Sequence, residues 1–202
     1  MILRRGLIGA FVILFGVLAI SPHDRATWAL ENVLVLLAGV ALVLLRHAFV
    51  PSRVSSVLLF VFLALHEVGA HYTYSEVPYA RWLRAMGIAL PEGRNHFDRM
   101  LHFFGGLLLV ELIRELVARF SRLGFWGQRV AAVSAVMSAS MVYELIEWGA
   151  AAAFGEGVGA AYLGTQGDEW DAHKDMALAT LGGLITVALS ALASRARSRQ
   201  QS

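Results

Sequence analysis

The chain of 202 residues has no cysteine and only four prolines. Without thiols there are no disulfides, no thiolate metal sites and no cysteine nucleophile, so any metal would fall to histidine and carboxylate ligands. Charge is also scarce. Charged residues make up 16% of the sequence, against about 25% in a soluble domain. The net charge of +2, nearly all of its basic side arginine, gives no argument for a nucleic-acid partner. There is no Gly-x-Ser-x-Gly elbow for a serine nucleophile, no low-complexity tract beyond a short basic tail, and no repeat strong enough to suggest an inverted-repeat transporter.

What is abundant is apolar. Hydrophobic residues reach 57% and the mean hydropathy is +0.61, which describes an integral membrane protein. The length suits one bundle of about six spans of about 20 residues each, with no room for a separate soluble domain. The expected fold is therefore all-α, a polytopic membrane helix bundle forming one domain over residues 1–202. Residues 1–20 have the outline of a signal peptide, but the run ends in Ser21-Pro22-His23-Asp24 without a small-x-small cleavage pattern, so it is read as the first span. The others are expected at 28–45, 54–70, 98–118, 130–149 and 172–193, followed by a polar cytoplasmic tail at 195–202. Eleven arginines fall at one set of span ends and six basic residues at the other, which puts both termini in the cytoplasm.

Four polar runs interrupt this pattern: 66–74, 95–102, 143–148 and 164–175. Ionisable residues at the ends of apolar spans are costly and usually mark a site, and the topology places all four at one depth on the outer side. Glu67 and His71, Asp98 and His102, and Asp171 and Asp175 are four apart, and Glu144 and Glu147 three apart, so each pair shares a helix face. Such pairs on neighbouring helices are how bundles build metal sites. His66, His71, Asp98, His102, Asp168, Asp171 and Asp175 are the expected ligands of a divalent metal, zinc first, with manganese or iron as alternatives. Glu67, Glu144 and Glu147 are the expected general bases on a bound water. Arg94, Arg99 and Lys174 are placed to offset a substrate phosphate, with Tyr72, Tyr74 and Gln166 as further substrate contacts. The first two spans carry almost no interior charge and are expected to act as support. The 75–95 loop, with Pro78, Trp82, Leu83, Met86 and Ile88, suggests a short interfacial helix placed as a lid. The 154–167 loop is rich in glycine and small residues.

Plainer readings stand beside these. His23, His47 and His173 are read as interfacial hydrogen-bonders. Tyr72, Tyr74, Trp82, Trp148 and Trp170 fit an aromatic belt better than substrate stacking. Asp171 with Lys174, or Asp98 with Arg94, makes an ordinary ion pair. Ion pairing explains the clustering poorly, because Glu144 and Glu147 lie at the helix end the macrodipole makes negative.

The segments His66-Glu67-x-Gly69-Ala70-His71-Tyr72-Thr73-Tyr74, Asn95-His96-Phe97-Asp98-Arg99 with His102-Phe103, Tyr143-Glu144 with Glu147-Trp148, and Gly164-Thr165-Gln166-Gly167-Asp168 with Trp170-Asp171 and Lys174-Asp175-Met176 together resemble the YjdF-like family of bacterial inner-membrane proteins. The resemblance covers residues 60–185. It implies a multi-span protein of the bacterial inner membrane and supplies no reaction, since the family is a domain of unknown function. From the residues, the first expectation is a membrane-embedded, metal-dependent hydrolase acting on a lipid or lipid-linked substrate at the outer leaflet. The alternatives are a cation or proton-coupled transporter and a structural subunit with a buried ion-pair network. The inner halves of spans three, five and six, nearly all Leu, Val and Ala, disfavour a transport path; Glu111, Arg114 and Glu115 are expected as a solvated helix end.

Overall fold

The computed structural model describes residues 2–89, 93–154 and 165–200, all in helices and their connections. The helices are α1 (Ile2–Leu18), α2 (Arg25–Leu45), α3 (Arg53–His71), α4 (Tyr79–Ala85), α5 (Phe97–Phe120), α6 (Phe125–Phe154) and α7 (Asp171–Gln200). The expected helix in the 75–95 loop is α4. The basic tail is not a separate segment, because α7 runs on to Gln200. Of the glycine-rich loop, residues 155–164 lie outside the described residues.

Among the described residues, four helices are long and apolar enough to cross a membrane: α2, α3, α6 through Ala153 and α7 through Ser194. Their side chains are distributed for lipid. The only buried residues of α2 are Thr27, Glu31 and Asn32, while Val33, Leu36, Leu37, Val40, Val43 and Leu44 are exposed. On α6, Met141, Leu145 and Trp148 are exposed and Ser140 and Glu147 buried. Apolar outside and polar inside is the pattern of a membrane helix bundle.

Helix α5 is the centre, packed on α3, α6 and α7. Its contact with α7 is backbone on backbone. A Cβ at Gly106 would lie 1.9 Å from the Ala179 carbonyl oxygen, and one at Gly182 would lie 2.2 Å from that of Phe103. Small residues that let helices approach this closely are a common means of association in membranes, and the Thr186 hydroxyl crosses the seam to the Leu107 carbonyl at 2.6 Å. Below the seam Val110, Ala132, Val133, Val136 and Ala179 form a dry core; a second core of Ala70, Tyr74, Val77, Phe97 and Leu101 joins α3, the 72–78 turn and the start of α5.

Local chemistry fixes the helix starts. Asp24 accepts from the Thr27 amide at 2.7 Å, which holds its carboxyl below the usual carboxylate range, and Ser52 accepts from the Ser55 amide at 3.0 Å. Asn95 accepts from the Phe97 amide at 3.0 Å and donates to the Val77 carbonyl at 2.9 Å, setting where α5 begins.

Candidate functional site

The end of α3, the starts of α5 and α7, the last third of α6 and the first third of α2 bring their polar residues to one end of the bundle. Glu31, Glu67, Glu147, Asp171 and Asp175 are each at most 5% exposed. Asp98, His102 and Glu144 fill the space between α5 and α6. The His102 Nε2 is 3.2 Å from Glu144 Oε1 and 3.8 Å from Asp98 Oδ1, while its Nδ1 meets the Ser140 hydroxyl at 3.0 Å. The Glu144 Oε1 makes no hydrogen bond despite its burial, and neither does Asp175 Oδ1. These are acceptors available to a water or a substrate proton.

Arginines hold the rim. Arg99 reaches Asp171 at 2.7 Å and also pairs with Asp168, and Arg94 pairs with Asp171 and donates to the Thr165 carbonyl. Lys174 completes the Asp168 site at 2.6 Å. With Lys174 and Arg99 as partners, Asp168 keeps its carboxyl far below the usual range. Gln166 and Asn95 exchange side-chain-to-backbone hydrogen bonds of 2.9 Å in both directions, tying the loop before α5 to the loop before α7.

A second group lies deeper. Thr73 and Tyr74 both adopt left-handed backbone, φ 52° and 54°, a conformation costing about 1–2 kcal/mol per non-glycine residue. The turn folds Tyr74 back across Gly69, where a Cβ would lie 2.8 Å from the ring. The buried Tyr74 hydroxyl thereby meets His66 Nδ1 at 2.6 Å. The His66 Nε2 has no hydrogen-bond partner. On α2, the Glu31 carboxylate accepts from the Tyr143 hydroxyl, and Tyr143 sets its ring edge-on to His102, 5.7 Å between centroids. Contacts thus link α2 through α6 to α5.

Between α6 and α7 a groove of about 580 Å3 opens at the surface. Met141, Leu145, Trp148 and Met176 line one part of it and Glu144, Asp168 and Asp171 the other. Glu144 belongs to both groove and cluster.

Most of the residues singled out from sequence meet here, but not as a metal-ligand set. Among the described residues no three His, Asp or Glu side chains form a group able to hold a metal ion. His71 turns away to α1, its Nδ1 2.7 Å from the Leu18 carbonyl, because α3 has turned too far between positions 66 and 71 for both rings to face inward. Asp168 and Asp171 are occupied by guanidinium and ammonium groups. Tyr72 stacks edge-on with His71, His23 and Trp82, outside the cluster. Gln166 serves the loop pairing just described. Glu67 is fully buried near the end of α3, and neither of its carboxylate oxygens has a hydrogen-bond partner. His23 bonds Glu76 at 2.9 Å, an interfacial role.

The sequence reading missed Glu31 and took α2 as support. The signal was there: Thr27 and Glu31 lie one helical turn apart, beside Asn32, in an otherwise apolar span. The opposite end also differs from a solvated helix end. Glu115 accepts from the Ser52 amide and the Ser55 hydroxyl, both at 2.8 Å. Arg114 pairs with Glu111 at 2.6 Å, and Arg129 is buried over the Phe125 ring, 3.6 Å from its centroid.

Comparison with known proteins matches residues 3–196 to a family described as "Predicted membrane protein (DUF2238)". The Inner membrane protein YjdF of Escherichia coli (strain K12) is 36% identical over 177 residues, covering 83% of this chain and 79% of its own. No solved structure matches. On the span of the family match and the extent of that identity, the chain belongs to the DUF2238 family of membrane proteins.

Proposed function

We propose that the protein is a membrane-embedded hydrolase acting on a lipid or lipid-linked substrate, with the buried carboxylate cluster as its reaction centre. The observation that carries this reading is the groove between α6 and α7. Its apolar wall is continuous with the lipid-facing surface of α6, and its floor is Glu144, a buried carboxylate whose Oε1 lies 3.2 Å from His102 Nε2. A groove of that size and mixed lining suits an amphiphile entering sideways.

In this reading Glu144 takes the proton of a water whose oxygen bonds to the acyl carbon or phosphorus. His102, steadied by Ser140 and Asp98, donates its Nε2 proton to the leaving oxygen, and Arg94 and Arg99 offset the charge that develops. Glu147, buried one helical turn on from Glu144, shares its helix face. The metal enters only if one is found, since the expected ligands are not gathered. Arginine placement favours a site on the outer side, and the inner-membrane relative supports a protein of the bacterial inner membrane. A transport path gets less support, because the Val110, Ala132, Val133, Val136 and Ala179 layer separates the cluster from the opposite polar end.

The test is turnover of total bacterial lipid extract by the protein in nanodiscs, followed by mass spectrometry, with metal content measured on the same preparation. Loss of about 10²–10⁴-fold in Glu144→Gln and His102→Gln, with folding intact, is expected from removal of a general base or acid. No lipid product with the wild type, across membranes that retain the folded protein, would sink the reading. Wild-type-level turnover in Glu144→Gln would remove Glu144 from it.

A further inference from the structure

Helices α1 and α2 both pack on α3. They are tied to each other near Trp28, whose ring centroid is 5.5 Å from that of Phe15, and where Arg25 donates to the Ala19 carbonyl at 2.7 Å. Beyond that tie a groove of about 460 Å3 lies between them. Phe11, Val12 and Phe15 belong to one wall and Gly39, Val40 and Val43 to the other, and every lining residue is apolar. The groove runs toward the end of the bundle where α1 begins and α2 stops. Arg4 donates to the Pro51 carbonyl there, which sets the start of α1 beside the connection after α2. Arg5 lies seven residues before Val12 and Arg46 seven after Gly39, so each continues the groove-lining face of its helix. Both are exposed. Arg46 donates to the Val43 carbonyl at 3.1 Å, and among the described residues neither arginine pairs with a carboxylate.

Because α2 is long and apolar enough to cross a membrane, the groove faces hydrocarbon. Left empty, it would forfeit the packing contacts of every atom that lines it. Its mouth decides what fills it. Two guanidinium groups without a carboxylate favour an anion, and their planar forks match phosphate oxygens. A second copy of this chain, docked groove to groove about a two-fold axis along the membrane normal, would bring the arginines of both copies to one depth, like charge against like charge. A phospholipid supplies both complements, hydrocarbon for the walls and phosphate for the mouth. We infer that the groove between α1 and α2 binds one anionic phospholipid from the leaflet at the Arg5–Arg46 end, with an acyl chain between the helices and the phosphate against the two arginines. The site is separate from the Glu144–His102 centre and does not depend on the hydrolytic reading.

The test is native mass spectrometry of the full-length protein released from detergent, titrated with phosphatidylglycerol or with phosphatidylcholine of the same acyl chains. One saturable phosphatidylglycerol adduct per monomer is expected, at least about fivefold tighter than the zwitterionic lipid. The double variant Arg5→Gln/Arg46→Gln should bring phosphatidylglycerol to the phosphatidylcholine level. At Gly39 an added Cβ meets nothing within 4 Å, so Gly39→Leu fills the groove without a clash. It should weaken both lipids several-fold, and it serves if the arginine variant does not fold. Equal binding of the two lipids by the wild type, adducts that accumulate without saturating, or binding unchanged in either folded variant would overturn the site. A wild-type dimer that Gly39→Leu converts to monomer would give the groove to a second copy and overturn it too. Lipid turnover plays no part in this readout, so failure here and failure of the hydrolytic reading are distinguishable.

Discussion

Replacing Gly106 by alanine adds one methyl group at the closest point between α5 and α7. That methyl would sit 1.9 Å from the Ala179 carbonyl oxygen and 2.7 Å from the Gly183 amide nitrogen. Both obstacles are backbone, so no side chain can swing aside. To reach ordinary contact the helices must separate by roughly 1.5 Å, enough to open the close packing around Val110 and Ala179. The 2.6 Å bond from Thr186 to Leu107 lies on the same seam and would stretch or break. Overpacking of this kind costs about 1–3 kcal/mol, and loss of the hydrogen bond about another 1. The better helix propensity of alanine returns about 1 kcal/mol, so a net loss of about 1–3 kcal/mol is expected. The control is the neighbouring residue. A Cβ at Gly105 meets only Phe62 at 3.4 Å, an ordinary contact, so Gly105→Ala should be neutral or slightly stabilising. Denaturant or thermal unfolding in detergent, followed by tryptophan fluorescence, compares the two. If Gly106→Ala is as stable as Gly105→Ala, the backbone contact between α5 and α7 is wrong.

Other outcomes follow from the polar end. Tyr143→Phe leaves the Glu31 carboxylate without its hydroxyl donor and should cost about 1–3 kcal/mol, read in the same unfolding assay; a change within error would place Glu31 in contact with another donor. Arg99→Ala removes one of two cationic partners from each of Asp168 and Asp171 and should cost about 1.5–3 kcal/mol. Lys174→Ala, removing a half-exposed ammonium, should cost at most about 1 kcal/mol; equal effects would refute the central place of Arg99. Because Lys174 and Arg99 depress the Asp168 carboxyl in the folded state, its contribution is complete above the unfolded value, about pH 3.9, and fades as pH falls through the folded value. The stability difference between wild type and Asp168→Asn should therefore stay level from neutral pH down to about pH 5 and shrink only below about pH 4. A difference that shrinks between pH 7 and 5 would contradict the pairing.

The helices were legible because membrane-length apolar runs, separated by arginine and proline, leave few other ways to fold. That Asp98, His102, Glu144, Glu147, Asp171 and Asp175 gather at one end of the bundle was legible because each pair repeats at helical spacing at a span end. The partnerships were not. His71 and His66 are indistinguishable by residue type, and only the phase of α3 decides that one ring faces α1 and the other the cluster. Whether Asp168 and Asp171 serve a metal or an arginine depends on where the 93–95 and 165–168 turns deliver Arg94 and the Thr165 carbonyl. Glu31 was passed over although Thr27 and Asn32 accompany it, because its partner, Tyr143, lies 112 residues away. The Thr73–Tyr74 turn could not be anticipated either, since neither residue type favours left-handed backbone.

The backbone contact at Gly106 and Gly182 has an electrical meaning. Main chain packed against main chain leaves no room for water or an ion between α5 and α7 at that level. Moving a charge across a membrane is worth about 2.3 kcal/mol per 100 mV, and this seam offers it no path.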